Sequence, residues 1–250
     1  MGQPARADCL VAQADARMPS FGPCKRLDME LEIGAVVGTG STLGDTLTVA
    51  EAEEMIFGYV LLNDWSARDI QAWEYQPLGP FLSKAFATSI SPWILPVAAL
   101  EPFRTSTPER EKPLLPYLAE PSPGLFDIKL SASLTPPGAT EATTLSQTNY
   151  TEMYYSAAQQ LAHHSSSGCA MNTGDLLGSG NFSGSEKSSL GCLLEITWGG
   201  HEPITLTTGE TRGFIEDGDT VTLDGHCEGD GFRVGFGTCT GRVLPAHPID

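Results

Sequence analysis

The period of the apolar positions changes several times along the chain, and each change marks an element. The stretch FDIKLSASL (126–134) alternates apolar and polar residues, the pattern of a half-buried strand. Val49, Ala52, Ile56 and Tyr59 or Val60 recur at helical spacing behind Thr48-Val49-Ala50-Glu51, a capping box, and predict a helix over 49–62. Asn149-Tyr150-Thr151-Glu152 repeats that capping pattern and predicts a second helix reaching about Ser165. LDMELE (27–32) reads as a strand, followed by a strand end and a glycine-rich turn in GAVVGTGST. The C-terminal stretch is rich in glycine and strand-like: LLEITW, GFIEDGDTVTLDG, GFRVGFGTC and GRVLPA. Asp-Gly pairs at 217–218, 224–225 and 230–231 predict turns there. Residues 1–22 lack periodicity and read as an irregular lead-in, and 102–124, rich in proline and charge, as an exposed loop. No repeat or linker divides residues 23–250, which are expected to form one domain. Few helices and many short strands predict an α+β, mostly β fold with peripheral helices.

Within LDMELEIG, Glu30 and Glu32 share one face of the expected strand, and Leu31 and Ile33 the other. Two carboxylates roughly 6–7 Å apart at Cα repel unless water or a cation separates them. A solvated polar face accounts for the pair, and so does a pair of ligands for a hard divalent cation, calcium or magnesium. The run beginning Asn63-Asp64-Trp65-Ser66-Ala67-Arg68 and ending in SISPW places Asp, Arg, Gln, Tyr, Lys and Thr among Trp, Phe and Pro. Polar groups of distinct chemistry in an apolar frame describe a pocket lining better than a surface loop.

Composition narrows the partners. With 14 Lys and Arg against 31 Asp and Glu the net charge is −17, which phosphate backbones and anionic lipid surfaces repel. Neither nucleic acid nor a membrane is expected as a partner, and an anionic substrate would need a local cation. The six cysteines form no CxxC pair and fit no zinc spacing, which suggests free thiols in a reducing compartment. The N-terminus MGQPARADCL has no apolar signal core, and no apolar run reaches membrane-spanning length. A cytoplasmic protein is expected.

The stretches LDMELE, NDWSARDIQAWEYQPLGPFLSKAFATSISPW, GDLLGSG and LLEITW closely resemble the fumarylacetoacetase family, from about Cys24 to Ala246. The resemblance implies the mixed β-roll of that family's C-terminal domain, a homodimer, and hydrolysis of the C–C bond of fumarylacetoacetate to fumarate and acetoacetate. It implies that Glu30, Glu32 and Asp64 ligate an active-site cation, and that Asp64, Lys84 and Thr88 adjoin a second, magnesium site. An ammonium has no lone pair, so Lys84 is read as a neighbour of that site. Arg68, Gln71 and Lys84 match groups around the developing oxyanion, Gln71 and Tyr75 match substrate contacts, and Glu195 matches the glutamate that activates water with a histidine. Packing roles for Gln71 and Tyr75 are the plainer alternative.

The chain departs from the family pattern in four respects. Its histidines, at 163, 164, 201, 226 and 247, all follow the LDMELE strand, whereas the family's general base precedes it. The family's N-terminal barrel domain, a fourth ligating aspartate and further substrate contacts have no counterpart. Asn181 replaces a substrate-contacting threonine and stays a candidate contact, and residues 9–20 match poorly. Loss of a general base costs about 10²–10⁴ in rate, so weak turnover is expected. Asp28 is not expected to replace the missing ligand, although it shares a strand face with Glu30. Two other readings compete: another keto-acid hydrolase, decarboxylase or isomerase of the same superfamily, and a non-catalytic dimeric metal-binding protein.

Overall fold

The computed structural model describes residues 8–11 and 20–247. The first strands, β1 (Asp8–Val11) and β2 (Ser20–Pro23), pair antiparallel, so part of the lead-in is ordered strand rather than irregular chain. A short ladder then joins β3 (Leu27–Asp28) to a later strand, and β4 (Leu31–Val37) enters the core. The helix expected over 49–62 is only its first half. Helix α1 (Val49–Met55) is capped as expected, with Thr48 Oγ1 accepting from the Glu51 amide and the Glu51 carboxylate accepting from the Thr48 amide. At Ile56 the backbone becomes extended, and β5 (Ile56–Asp64) runs on. Ile56-Phe57-Gly58-Tyr59-Val60-Leu61-Leu62 is almost continuously apolar, so its periodicity fits either element. Its β-branched and aromatic content suits a strand covered on both faces.

Strand β6 (Ser66–Ala67) pairs with β3, bringing Asp28 opposite Ser66. Helix α2 (Arg68–Glu74) follows at once, then α3 (Leu82–Ala85), β7 (Thr88–Ile90) and β8 (Leu95–Pro96). The second sheet is built from β9 (Lys129–Thr135) and β10 (Thr143–Asn149), with later strands added. In β9 the alternation holds: Leu130, Ala132 and Leu134 are buried and their neighbours are not. Asn149 caps only a single turn over 150–152, because Ser156 and Gln159 form a separate capping box that starts α4 (Ala157–Ser165). Helix α4 lies against α1, burying Ala158, Leu161 and Ala162.

Strand β11 (Leu176–Gly178) closes the first sheet, whose order is β11-β4-β5-β7 with β8 also on β5. LLEITW forms the short helix α5 (Leu193–Ile196), not a strand. Strands β12 (Thr220–Gly229), β13 (Phe232–Gly235) and β14 (Cys239–Arg242) complete the second sheet, ordered β10-β9-β12-β13 with β14 on β12. The pairings in both sheets are antiparallel, and one apolar cluster joins them, from Leu31 and Ile33 through Tyr59 and Leu61 to Leu130, Leu223 and Phe236. The fold is the mostly β, α+β architecture expected. Gly218 and Gly231, both with positive φ, make turns, whereas Asp224-Gly225 lies inside β12. A Cβ at Gly225 would stand 2.6 Å from Leu61 Cδ2 and 3.1 Å from Leu130 Cδ2, so this glycine serves the approach of the two sheets.

Gly58 serves a tighter approach. It faces Pro96 of β8, and a Cβ there would stand 2.3 Å from the Leu95 carbonyl oxygen. Backbone, unlike a side-chain tip, cannot rotate away. Gly58→Ala is expected to destabilise the chain by about 1–3 kcal/mol. Calorimetric unfolding checks this, at about 2–4 °C per kcal/mol for a chain of this size.

Candidate active site

Three carboxylates meet where β4 and β5 come together. Glu30 precedes β4 and bridges to Cys192, Glu32 is the second residue of β4, and Asp64 ends β5. Pairing of Leu31 with Asn63 and a hydrogen bond from the Asp64 amide to the Glu30 carbonyl (3.3 Å) fix their register. One oxygen from each lies within 4.8 Å of the others. Glu32 is almost fully buried, and its Oε2 accepts from the Gly180 amide at 3.1 Å. Burial, with the charges of Glu30 and Asp64, pushes its carboxyl up to about 8. Burial also raises Asp64, against Lys84. Burial opposes ionisation of Glu30 too, but Arg68 and Lys84 outweigh it and hold that carboxyl below its ordinary value. Three oxygen-only donors this close, one of them raised by burial and its neighbours' charge, fit a hard divalent cation.

Lys84 Nζ donates to Glu30 Oε2 (2.6 Å) and Asp64 Oδ2 (2.9 Å), so it balances charge beside the triad. Its helix, α3, is capped by a residue the sequence did not single out: the Glu74 carboxylate accepts from the amides of Phe81, Leu82 and Ser83. Thr88 pairs with Asp64 in the β5–β7 register but is exposed.

Arg68 opens α2 with its backbone amide on the Arg26 carbonyl. Its side chain is 6% exposed. Nε donates to Asp28 Oδ2 (2.8 Å), and Nη1 reaches Glu30 Oε1 (2.9 Å) and Gln71 Oε1 (3.0 Å). Nη2 is buried and has no hydrogen-bond partner among the described residues. A buried guanidinium nitrogen without a partner is costly, and an anionic or carbonyl oxygen would satisfy it. Gln71 is half-buried one turn along α2. Tyr75 caps the end of α2 and is 48% exposed, which removes the reading of it as a core aromatic.

Glu195, half-buried in α5, is held through one oxygen. Its Oε2 accepts from Asn181 Nδ2 (2.7 Å), Ser183 Oγ (2.6 Å) and Cys192 Sγ (3.2 Å). Ser183 Oγ in turn accepts from the Gly191 amide at 3.0 Å. The start of α5 rests on Asp28, which is fully buried and accepts from the Leu193 and Leu194 amides. Asp28 therefore does not share a strand face with Glu30 toward the triad: β3 ends at Asp28, whose carboxylate turns to Arg68 and α5. Glu74, Ser183 and Cys192 were not singled out by the sequence, and Asp28 was weighed only as a stand-in ligand. A signal existed for Asp28, which has the parity of Glu30 and Glu32, and for Ser183, two residues from Asn181. His163 and His164 lie exposed on α4, and His163 Nδ1 contacts Tyr117 Oη at 2.8 Å. Cys169, Cys192, Cys227 and Cys239 are free thiols. Among the described residues no helix is long and apolar enough to cross a membrane.

Residues 5–244 match the family model described as "Fumarylacetoacetate (FAA) hydrolase C-terminal". Fumarylacetoacetase of Arabidopsis thaliana is 54% identical over 230 residues, covering 92% of this chain and 54% of the relative. The Homo sapiens fumarylacetoacetase is 51% identical over 232 residues, covering 93% and 55%. The chain thus spans about half the length of these curated relatives. Among solved structures, a fumarylacetoacetate hydrolase from Exiguobacterium antarcticum superposes with a TM-score of 0.54 at 18% identity, covering 97% of this chain and 62% of that one. A fumarylpyruvate hydrolase from Pseudomonas aeruginosa, solved with Mn2+ and pyruvate, gives 0.52 at 18%, covering 94% and 70%. Those two likenesses bear on the fold, while the family model and the close relatives settle what the sequence resemblance implied: this chain belongs to the fumarylacetoacetate hydrolase family, matching its C-terminal domain.

Proposed function

We propose that the site hydrolyses the C–C bond of a β-diketo acid, fumarylacetoacetate, to fumarate and acetoacetate. The observation that carries this reading is the buried, unpartnered Nη2 of Arg68 beside a three-carboxylate cluster. Glu30, Glu32 and Asp64 would hold a divalent cation, magnesium or calcium, which would supply Lewis-acid polarisation of a carbonyl and neutralise the cluster. Arg68 Nη2 and the Lys84 ammonium place positive charge where the ketone oxygen becomes an oxyanion. Glu195, its Oε2 held by three donors, takes a proton at Oε1 from the attacking water. Water oxygen bonds to the ketone carbon, and the C–C bond then breaks with its electron pair on the departing acetoacetate carbon. The proton on Glu195 Oε1 passes to that enolate carbon, which regenerates the carboxylate, and acetoacetate leaves while the carbon that took the water oxygen becomes a carboxyl of fumarate. Gln71, Tyr75 and Asn181 orient the substrate, and Thr88 adjoins the second magnesium site with Asp64 and Lys84.

The identity of the close relatives supports the substrate assignment. A homodimer in the cytoplasm completes the reading. It is supported by exposed Trp73, Leu78, Phe81, Leu82, Ile90 and Trp93 along one segment, which a second copy would cover, and by the free thiols. Sedimentation velocity checks the dimer.

The test is hydrolysis of fumarylacetoacetate by the purified protein, with oxaloacetate and acylpyruvates alongside. Chelation is expected to lower turnover by about tenfold or more, and added magnesium or calcium to restore it. Turnover that survives chelation sinks the metal-assisted reading. Preference for oxaloacetate or an acylpyruvate moves the chain to another reaction of the same superfamily, and cation binding with no turnover on any of these substrates leaves a binding protein.

A further inference from the structure

Asp28 has no place in the reaction as proposed, yet it is fully buried and all its accepting capacity is used. Oδ1 accepts from the Met29 amide (2.8 Å) and the Leu193 amide (2.8 Å). Oδ2 accepts from Arg68 Nε (2.8 Å) and the Leu194 amide (3.0 Å). These four donors come from β4's approach, α5 and α2, elements that carry Glu30, Glu195 and Arg68 respectively. We infer that Asp28 is a positioning residue that ties Arg68 to α5 and keeps the guanidinium from closing wholly onto Glu30.

The geometry gives the reason. Arg68 stands between two carboxylates, Asp28 on Nε and Glu30 on Nη1. Asp28 is anchored by three backbone amides and cannot follow the guanidinium. Glu30 has a second demand on it, from the carboxylate cluster and Lys84. The Asp28 carboxylate shares the positive charge of Arg68 with Glu30 and leaves Nη2 paired with neither. With asparagine in place of Asp28, Arg68 keeps its charge, and Glu30 becomes its sole carboxylate partner among the described residues. The guanidinium then competes with a bound cation for Glu30. The same carboxylate sets where α5 begins, so the spacing between Arg68 and Glu195 depends on one residue. A residue that merely capped α5 would act on stability but would have no dependence on Arg68.

This inference rests on the reading that Glu30, Glu32 and Asp64 bind a divalent cation, and its test reads cation binding, not turnover. Magnesium is titrated calorimetrically into wild type, Asp28→Asn, Arg68→Gln and the double variant. Asp28→Asn is expected to weaken magnesium binding by about 10–100-fold, the usual cost of losing a partner that orients a ligand. The double variant is expected to bind within about threefold of Arg68→Gln, because the competitor for Glu30 is gone. The inference is overturned if Asp28→Asn binds within about threefold of wild type, or if the double variant binds no better than Asp28→Asn. Losing one partner of a buried pair leaves an uncompensated charge, so Asp28→Asn could unfold, whereas losing both removes the charge. In that event the double variant decides: folded and equal to Arg68→Gln supports the inference, and unfolded or about tenfold weaker overturns it. A wild-type protein that takes up no magnesium overturns the cation reading and this inference with it, whereas magnesium binding with additive losses overturns the inference alone.

Discussion

Glu195→Gln is expected to lower fumarylacetoacetate hydrolysis by about 10²–10⁴-fold while leaving the fold and magnesium binding unchanged. The exchange is close to isosteric, and the two ends of the carboxylate have different work. Oε2 receives Asn181, Ser183 and Cys192, all of them donors. A glutamine carbonyl oxygen accepts from the same three, so the side chain keeps its orientation. Its amide nitrogen then occupies the Oε1 position, where it donates and cannot take a proton. The loss thus falls on the proton transfer and spares the geometry. Single-turnover rates under saturating magnesium, beside calorimetric magnesium affinity, separate the two effects. A variant within about tenfold of wild type would remove Glu195 from the proton path, given the usual size of such a contribution. A parallel loss of magnesium binding would mean that Glu195 acts on the cation cluster.

How far the sequence reached depends on what each element needed. The Glu30/Glu32 pair is legible because strand parity alone puts two residues on one face. The convergence of Asp64 with them is not, since it depends on the pairing of Leu31 with Asn63. The same non-local dependence explains the misread elements. Ile56–Leu62 is apolar on both faces, and only the strands on either side of it make it a strand. LLEITW has strand-like residues, but its first amides are held by Asp28, far upstream, and the chain turns into a short helix. Asp224-Gly225 looks like a hairpin turn locally, and the close approach of Leu61 decides otherwise. Most role assignments came from the family resemblance. Among residues that act through others, Asp28 is marked by strand parity but not by its hold on Arg68, and Glu74 on α3 carries no local mark. Nor could a sequence show which arm of Arg68 is left without a partner.

Glu32→Gln is expected to lower magnesium affinity by about 100-fold or more and, at the same time, to stabilise the cation-free chain at alkaline pH. Both follow from one environment. The Glu32 carboxyl sits at about 8 instead of its ordinary 4.5, so in the cation-free chain at neutral pH it carries a proton. An acid raised in this way binds more protons folded than unfolded, and stability falls as pH rises through the window between the two values. The cost is absent below about 4.5 and complete above about 8. At 1.36 kcal/mol per pH unit it reaches about 5 kcal/mol as an upper figure, and relaxation of the cluster brings it to order 2–5 kcal/mol. Glutamine mimics the protonated acid, with a carbonyl for the Gly180 amide and an amide hydrogen for Glu30. It cannot ionise, so the pH-dependent cost disappears. Unfolding at pH 5 and pH 9 in chelator checks this: the two proteins should agree at the lower pH, and the variant should be the more stable at the higher. Magnesium should reverse the order at pH 9, because the wild-type Glu32 is already ionised there and a cation binding the folded state relieves the charge that had strained the site. A variant with the wild-type pH slope would show that the cluster's proton resides elsewhere, on Asp64, whose carboxyl burial also raises.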